Sequence, residues 1–132
     1  MRIVIDSNVI IAAFATRGLC NETFELCLAE HSIFICDEIT AEVTKALIKK
    51  IKVPETIVKE TILFLNTHIQ KAEPLKPDKK LCRDERDLMV LGLAEKVKAE
   101  VIITGDEDLL ILKEYKKIKI VNPAAFWKLL GK

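Results

Sequence analysis

The chain lacks most of the residue patterns that commonly advertise a function. Its 132 residues include two histidines and four cysteines, and none has the spacing of a zinc site. Cys20, Cys27, Cys36 and Cys82 form no CxxC pair, and His31 and His68 belong to no HExxH. A zinc ribbon and a zinc hydrolase are therefore unsupported. The cysteines read as small thiols buried or half-buried among apolar neighbours, which fits a reduced, cytoplasmic setting. His31 falls at a helix end, where the helix dipole accounts for it, and His68 falls in a polar connector. Aromatic residues are only 5% of the chain, with one Trp and one Tyr, so there is no aromatic platform on which bases would stack. Neither sign of charge dominates: 21 basic against 20 acidic side chains leave a net +1. That rules out a global basic field, and any phosphate affinity must come from local patches or a metal. No apolar run reaches the length of a membrane span. The amino-terminal run is interrupted at Asp6 and is too short for a signal peptide.

What is present is a single-domain pattern over residues 1–132. Half the chain is hydrophobic, enough for a sizeable core and too much for intrinsic disorder. No internal repeat or second domain is visible. Arg2–Ile5, Ser32–Cys36, Glu100–Thr104 and Ile118–Val121 read as short β-branched strands. Helical patterns lie between them: Val9 to Phe14 behind a Ser7-Asn8 cap, Glu22–Glu30, a segment opening at Asp37-Glu38, and one from Pro54 to about Asn66. Residues 68–82 read as a polar connector. Arg83–Lys98 is helical and apolar over much of its circumference, which predicts burial between layers. A short helix follows at Asp108–Lys113, and Pro123 starts a terminal helix ending near Gly131. Strands alternating with helices predict an α/β fold whose parallel sheet is covered on both faces.

In such a sheet, ligands bind beyond the carboxyl ends of the strands. Asp6 follows the first strand and Asp106 follows the Glu100–Thr104 strand. Glu42 stands three residues after Ile39 and four before Ala46, bordering the inward face of its helix. Asp87 has the same relation to Val90, Leu91 and Ala94. Each has a plain alternative: Asp84 reads equally as an N-cap, Asp108 as the cap of the short helix, and twenty acidic residues will cluster somewhere by chance. Yet four separate segments each direct a carboxylate toward one place, and converging like charges need a proton or a cation. A hard divalent ion with oxygen ligands, Mg²⁺ or Mn²⁺, supplies that neutralisation.

The stretches IVIDSNVIIAA (3–13), EITAEV (38–43), CRDERDLMVLGLA (82–94) and ITGDEDLL (103–110), closed by VNPAAFWKLL (121–130), resemble the PIN-domain family in order and over nearly the whole chain. These are metal-dependent nucleases, and the closer likeness is to the small prokaryotic VapC-like toxins of toxin–antitoxin pairs. The resemblance implies a three-layer α/β/α sandwich with a central, mainly parallel sheet. It implies an Mg²⁺- or Mn²⁺-dependent endoribonuclease with Asp6, Glu42, Asp87 and Asp106 as its catalytic acids. The metal would be held through Asp6, Asp87, Asp106 and Asp108, and Ser7, Asn8, Asp84 and Thr104 would be accessory. It further implies an RNA substrate, a homodimer and a cognate antitoxin. Glu85-Arg86 departs from the subgroup, which often carries proline and another acidic or polar residue there; Arg86 adds positive charge beside the cleft.

Other classes fit less well. A dinucleotide site would need GxGxxG after the first strand, where Asp6 stands instead. An aspartyl phosphotransferase would need a second aspartate at Asn8. A receiver domain would need an acidic pair after the first strand and a central phosphoacceptor. The strongest rival is a non-catalytic module that keeps the metal site and binds RNA or protein. Basic residues available for phosphate contact are Lys45, Lys49, Lys50 and Lys52, and Lys76, Lys79, Lys80 and Arg83.

Overall fold

β-branched residues in the first strand leave one stable arrangement, a strand covered on both sides. In the computed structural model, which describes residues 1–132, β1 (Arg2–Ile5) buries Ile3, Val4 and Ile5 completely. It is followed by α1 (Ser7–Ala15), α2 (Leu19–Glu30), β2 (Ser32–Ile35), α3 (Asp37–Lys49) and α4 (Glu55–His68). Next come β3 (Gln70–Lys71), α5 (Glu85–Lys96), β4 (Val101–Ile103), α6 (Glu107–Leu110), β5 (Glu114–Tyr115), β6 (Ile118–Val121) and α7 (Pro123–Leu129). The six strands form one sheet in the order β3-β2-β1-β4-β6-β5, parallel except for the β5–β6 pair. Helices flank this sheet, with α1 packed on α2 and α3, and α5 packed on β1. The expected mixed α/β architecture with a mainly parallel sheet is thus what the chain adopts.

The strand order matters for function. From β1 the chain builds outward through β2 and β3, then returns to build the other side through β4 and β6. The reversal lies between β1 and β4, which is where open α/β sheets leave a crevice beyond the strand ends. The β1–β4 register pairs Ile5 with Ile103, so Asp6 and Thr104 leave the sheet side by side.

Two short elements were absent from the sequence reading. β3 is two residues long within the stretch read as a connector. β5 and β6 form a hairpin in which Tyr115 pairs with Ile118 across Lys116 and Lys117. Both lysines have positive φ, 48° and 69°. A two-residue hairpin loop demands that conformation, normally met by Asn-Gly, and a Lys-Lys pair carries no such signature. Capping also differs from expectation. α1 is capped by Asp6, whose side chain accepts from the Ser7 N–H, and Ser7 is already helical. α6 is capped by Asp106, which accepts from the N–H of Asp108, so Asp108 is not the cap.

Candidate active site: an acidic centre with an arginine inside it

Asp6 is completely buried at the end of β1, and its position is fixed by the sheet. Its N–H donates to the Ile103 carbonyl at 2.9 Å. Asp6 Oδ1 accepts from the Ser7 N–H at 2.8 Å and from Arg86 Nη2 at 2.6 Å. Asp6 Oδ2 accepts from the Thr104 hydroxyl at 2.8 Å and from Asn8 Nδ2 at 3.3 Å. Asn8 Oδ1 in turn accepts from the Gly105 N–H at 3.0 Å, and Thr104 Oγ1 accepts from the Asp106 N–H at 3.0 Å. The turn after β4 is thereby laced to the turn after β1, and this holds Asp106 at the crevice.

α5 supplies the opposite wall. Asp84 caps it, accepting from the Arg86 N–H at 2.9 Å. Asp87, one turn in, is only 2% exposed. Between them, Arg86 turns into the crevice rather than out to solvent. Its Nε donates to Glu42 Oε2, and its Nη2 donates to Asp6 and to Ser7 Oγ, the latter at 2.5 Å. Nη1 lies 3.6 Å from Asp87 Oδ1 and 3.8 Å from Asp106 Oδ2. Burial works against the charge on Arg86, but Asp6 and Glu42 outweigh it and raise its pKa, so the guanidinium is permanently cationic.

One arginine does not balance this much negative charge. Asp87 Oδ1 and Glu42 Oε1 are buried without a hydrogen-bond partner. Burial, and then the adjacent Asp106, push the Asp87 carboxyl up to about 7. Asp87, Asp106 and Asp108 each offer one oxygen, and these lie within 4.8 Å of one another. An all-oxygen set that includes Asp87, a residue with a bare buried carboxylate oxygen, suits a hard dication such as Mg²⁺ or Mn²⁺. The residues present fit such an ion.

Comparison with known proteins follows the same line. A family model described as PIN domain matches residues 2–108. The chain belongs to the PIN-domain family. Its fold is also similar to a chain in the crystal structure of VapBC2 from Rickettsia felis bound to a DNA fragment from their promoter. The TM-score is 0.61 at 15% identity, covering 92% of this chain and 98% of that one. No curated protein matches by sequence.

The PIN fold gathers the residues singled out in the sequence, but not all into one ligand set. Asp6, Glu42, Asp87 and Asp106 all contact or approach the Arg86 guanidinium. Of the four residues expected at the metal, Asp87, Asp106 and Asp108 converge, whereas Asp6 is enclosed by hydrogen-bond donors. Ser7, Asn8 and Thr104 are the groups that fix Asp6 and Arg86, and Asp84 is an exposed helix cap. Arg86, expected beside the cleft, lies in its middle instead, in contact with Asp6 and Glu42. Its one sequence signal was its place in the first turn of α5, immediately before Asp87.

The histidines stand apart. His31 takes up the amino-terminal nitrogen at Nδ1, 3.1 Å away, and burial and that ammonium lower its pKa. All four cysteines are free, and burial pushes Cys36 to about 11 and Cys27 to about 12, so these two are inert thiols. The basic residues considered for phosphate contact are all exposed. Lys76 and Lys79 line a recess of about 390 Å³ with Glu38, Glu85, Leu88 and Met89, beside the first turns of α5. No helix is long and apolar enough to cross a membrane.

Proposed function

We propose that this PIN protein is a divalent-metal-dependent endoribonuclease and the toxin half of a toxin–antitoxin pair. The observation that carries the reading is the oxygen-only convergence of Asp87, Asp106 and Asp108, with Asp87 Oδ1 buried and unpaired. Those three residues would hold Mg²⁺ or Mn²⁺. When bound, such an ion supplies Lewis-acid activation of water and stabilises charge developing on a phosphodiester. The remaining chemistry falls to the chain itself. Glu42, whose Oε1 is buried without a partner, would orient an attacking water. Asp6, with Thr104 and Asn8, keeps the β1 and β4 turns at fixed separation, which holds the reacting groups in register. Ser7 Oγ is spent on Arg86, and no histidine contacts it, so a serine nucleophile has no support. Exposed lysines would hold the RNA backbone without reading bases.

The partner reading follows from the same likeness. The solved structure similar in fold is a VapBC2 complex bound to promoter DNA, which supports a cognate antitoxin here. Exposed apolar side chains on α2 and α4, including Leu19, Ile57 and Leu63, support a homodimer. A reduced cytoplasmic location and a single domain over 1–132 complete the proposal.

The test is a panel of single-stranded and structured RNAs incubated with Mg²⁺ or Mn²⁺, resolved by length and end chemistry. Products should carry 5′-phosphate and 3′-hydroxyl ends, and chelator should stop the reaction. Folded Asp6→Asn, Asp87→Asn and Asp106→Asn proteins should lose activity by at least roughly a hundredfold, as expected when a group held for the transition state is removed. Cleavage surviving all of these changes would count against the mechanism. Metal binding without cleavage of any RNA would favour a non-catalytic module that retains its ion.

A further inference from the structure

The donors around Asp6 and the donors of Arg86 can be counted against each other. An ionised carboxylate has about four acceptor positions, and four donors already occupy those of Asp6. No cation can reach Asp6 without displacing one of them. A guanidinium has five N–H groups, and three are spent: Nε on Glu42, and Nη2 on Asp6 and Ser7. Both N–H groups of Nη1 remain, since its carboxylate neighbours at 3.6 and 3.8 Å are beyond hydrogen-bond reach. The side chain is 25% exposed and is anchored through Nε and Nη2. A planar group held in this way is pre-organised to meet a phosphate oxygen. The acidic centre therefore has two halves. Asp6 and Glu42 are hydrogen-bonded to the guanidinium, whereas Asp87 and Asp106 only approach it, at 3.6 and 3.8 Å, and Asp108 makes no ion pair with it.

We propose that Arg86 is a built-in second cation, fixed on Asp6, Glu42 and Ser7, so that the protein takes one divalent ion, on Asp87, Asp106 and Asp108. This rests on the metal-dependent reading above, and it names which carboxylates serve the ion and which serve the arginine. Removing Arg86 would leave the buried Asp6 and the half-buried Glu42 without a cationic partner, a situation that a second divalent ion relieves.

Titration calorimetry with Mn²⁺ alone, without RNA, tests this. The wild-type chain should bind one ion. Asp108→Asn should weaken it at least about tenfold, the loss typical when a carboxylate serving an ion is removed. Arg86→Gln should bind two. Glu42→Gln keeps the guanidinium and should still bind one ion, with a smaller loss of affinity than Asp108→Asn, because Glu42 lies outside the Asp87, Asp106 and Asp108 set. That variant keeps the test decisive if Arg86→Gln does not fold without metal. Two ions in the wild type, one ion in folded Arg86→Gln, or Glu42→Gln losing as much as Asp108→Asn would each overturn the proposal. Saturable binding by no variant would sink the metal reading itself. The predicted stoichiometries without any RNA cleavage would sink the nuclease reading and leave this assignment standing.

Discussion

Burial and the neighbouring Asp106 move the Asp87 carboxyl from near 3.8 to about 7, and this has a consequence for stability. Between those two values the folded protein holds a proton on Asp87 that the unfolded chain has released. Stability from this group is therefore full below the lower value and is lost as pH rises through the upper one. In chelator, the wild type should lose thermal stability between pH 5 and pH 8 relative to Asp87→Asn, which mimics the protonated side chain. Thermal unfolding of both proteins at the two pH values reads this directly. A constant difference between them would show that Asp87 is an ordinary carboxylate. The positions of Asp6, Glu42, Asp87 and Asp106 were legible in the sequence, because strand ends and helix faces follow from local pattern. What Arg86 does was not. A long side chain one residue from a buried aspartate can turn either way, and only the placement of α5 against the end of β1 decides it. Asp106 takes the cap that local pattern offered to Asp108 for a similar reason. A cap is defined by where the helix starts, and local pattern fixes helix starts poorly.

Gly92 shows the same limit for an element. α5 buries most of its circumference, as its sequence predicts, and Leu88, Val90, Leu91, Leu93 and Ala94 pack into the core or beneath the connector. The connector between β3 and α5 passes so close that Leu75 N–H donates to the Gly92 carbonyl at 3.1 Å. A Cβ at residue 92 would sit 1.9 Å from the Leu75 carbonyl oxygen and 2.8 Å from its carbon, both rigid backbone. Alanine normally favours a helix over glycine by about 1 kcal/mol. Here overpacking, costing roughly 1–3 kcal/mol, opposes that gain and wins. Gly92→Ala should lower the urea midpoint, and the connector should lose protection in hydrogen exchange. A raised midpoint would mean that the connector moves aside at little cost. A glycine inside a helical pattern says that something approaches, but not what. The partner here lies seventeen residues earlier in a stretch with no pattern of its own. The β5–β6 hairpin escaped the sequence reading through turn chemistry, since its two left-handed positions carry lysines.

For the whole molecule, the sheet order is what brings Asp6 and Asp106 together; alternation of strands and helices was enough to place both at one edge of the sheet, but not to give that order. Quaternary structure is different, because apolar surface in a sequence does not declare whether it faces the core or a partner. Among the apolar residues of α2 and α4, Phe24 is buried, whereas Leu63 is 67% exposed and Ile57 is 45% exposed. Phe14 bridges two elements: its ring meets Phe24 of α2 at 5.4 Å and Phe64 of α4 at 6.2 Å, both edge-on. Phe64 in turn packs on the His68 ring at 4.4 Å. Phe14, Leu63 and Phe64 remain open to solvent, an aromatic and aliphatic set drawn from α1 and α4. Such a surface is costly to leave in water, and a second copy of the chain would cover it. The expected result is concentration-dependent association in sedimentation. Leu63→Lys, which places a charge where an apolar contact would be buried, should weaken the dimer at least about tenfold, equivalent to about 1.4 kcal/mol. The substituted side chain is far more exposed than buried, so the monomer should keep its fold and its unfolding midpoint. A monomer across the whole concentration range would remove the dimer. Association of unchanged strength in Leu63→Lys would move the interface to another face.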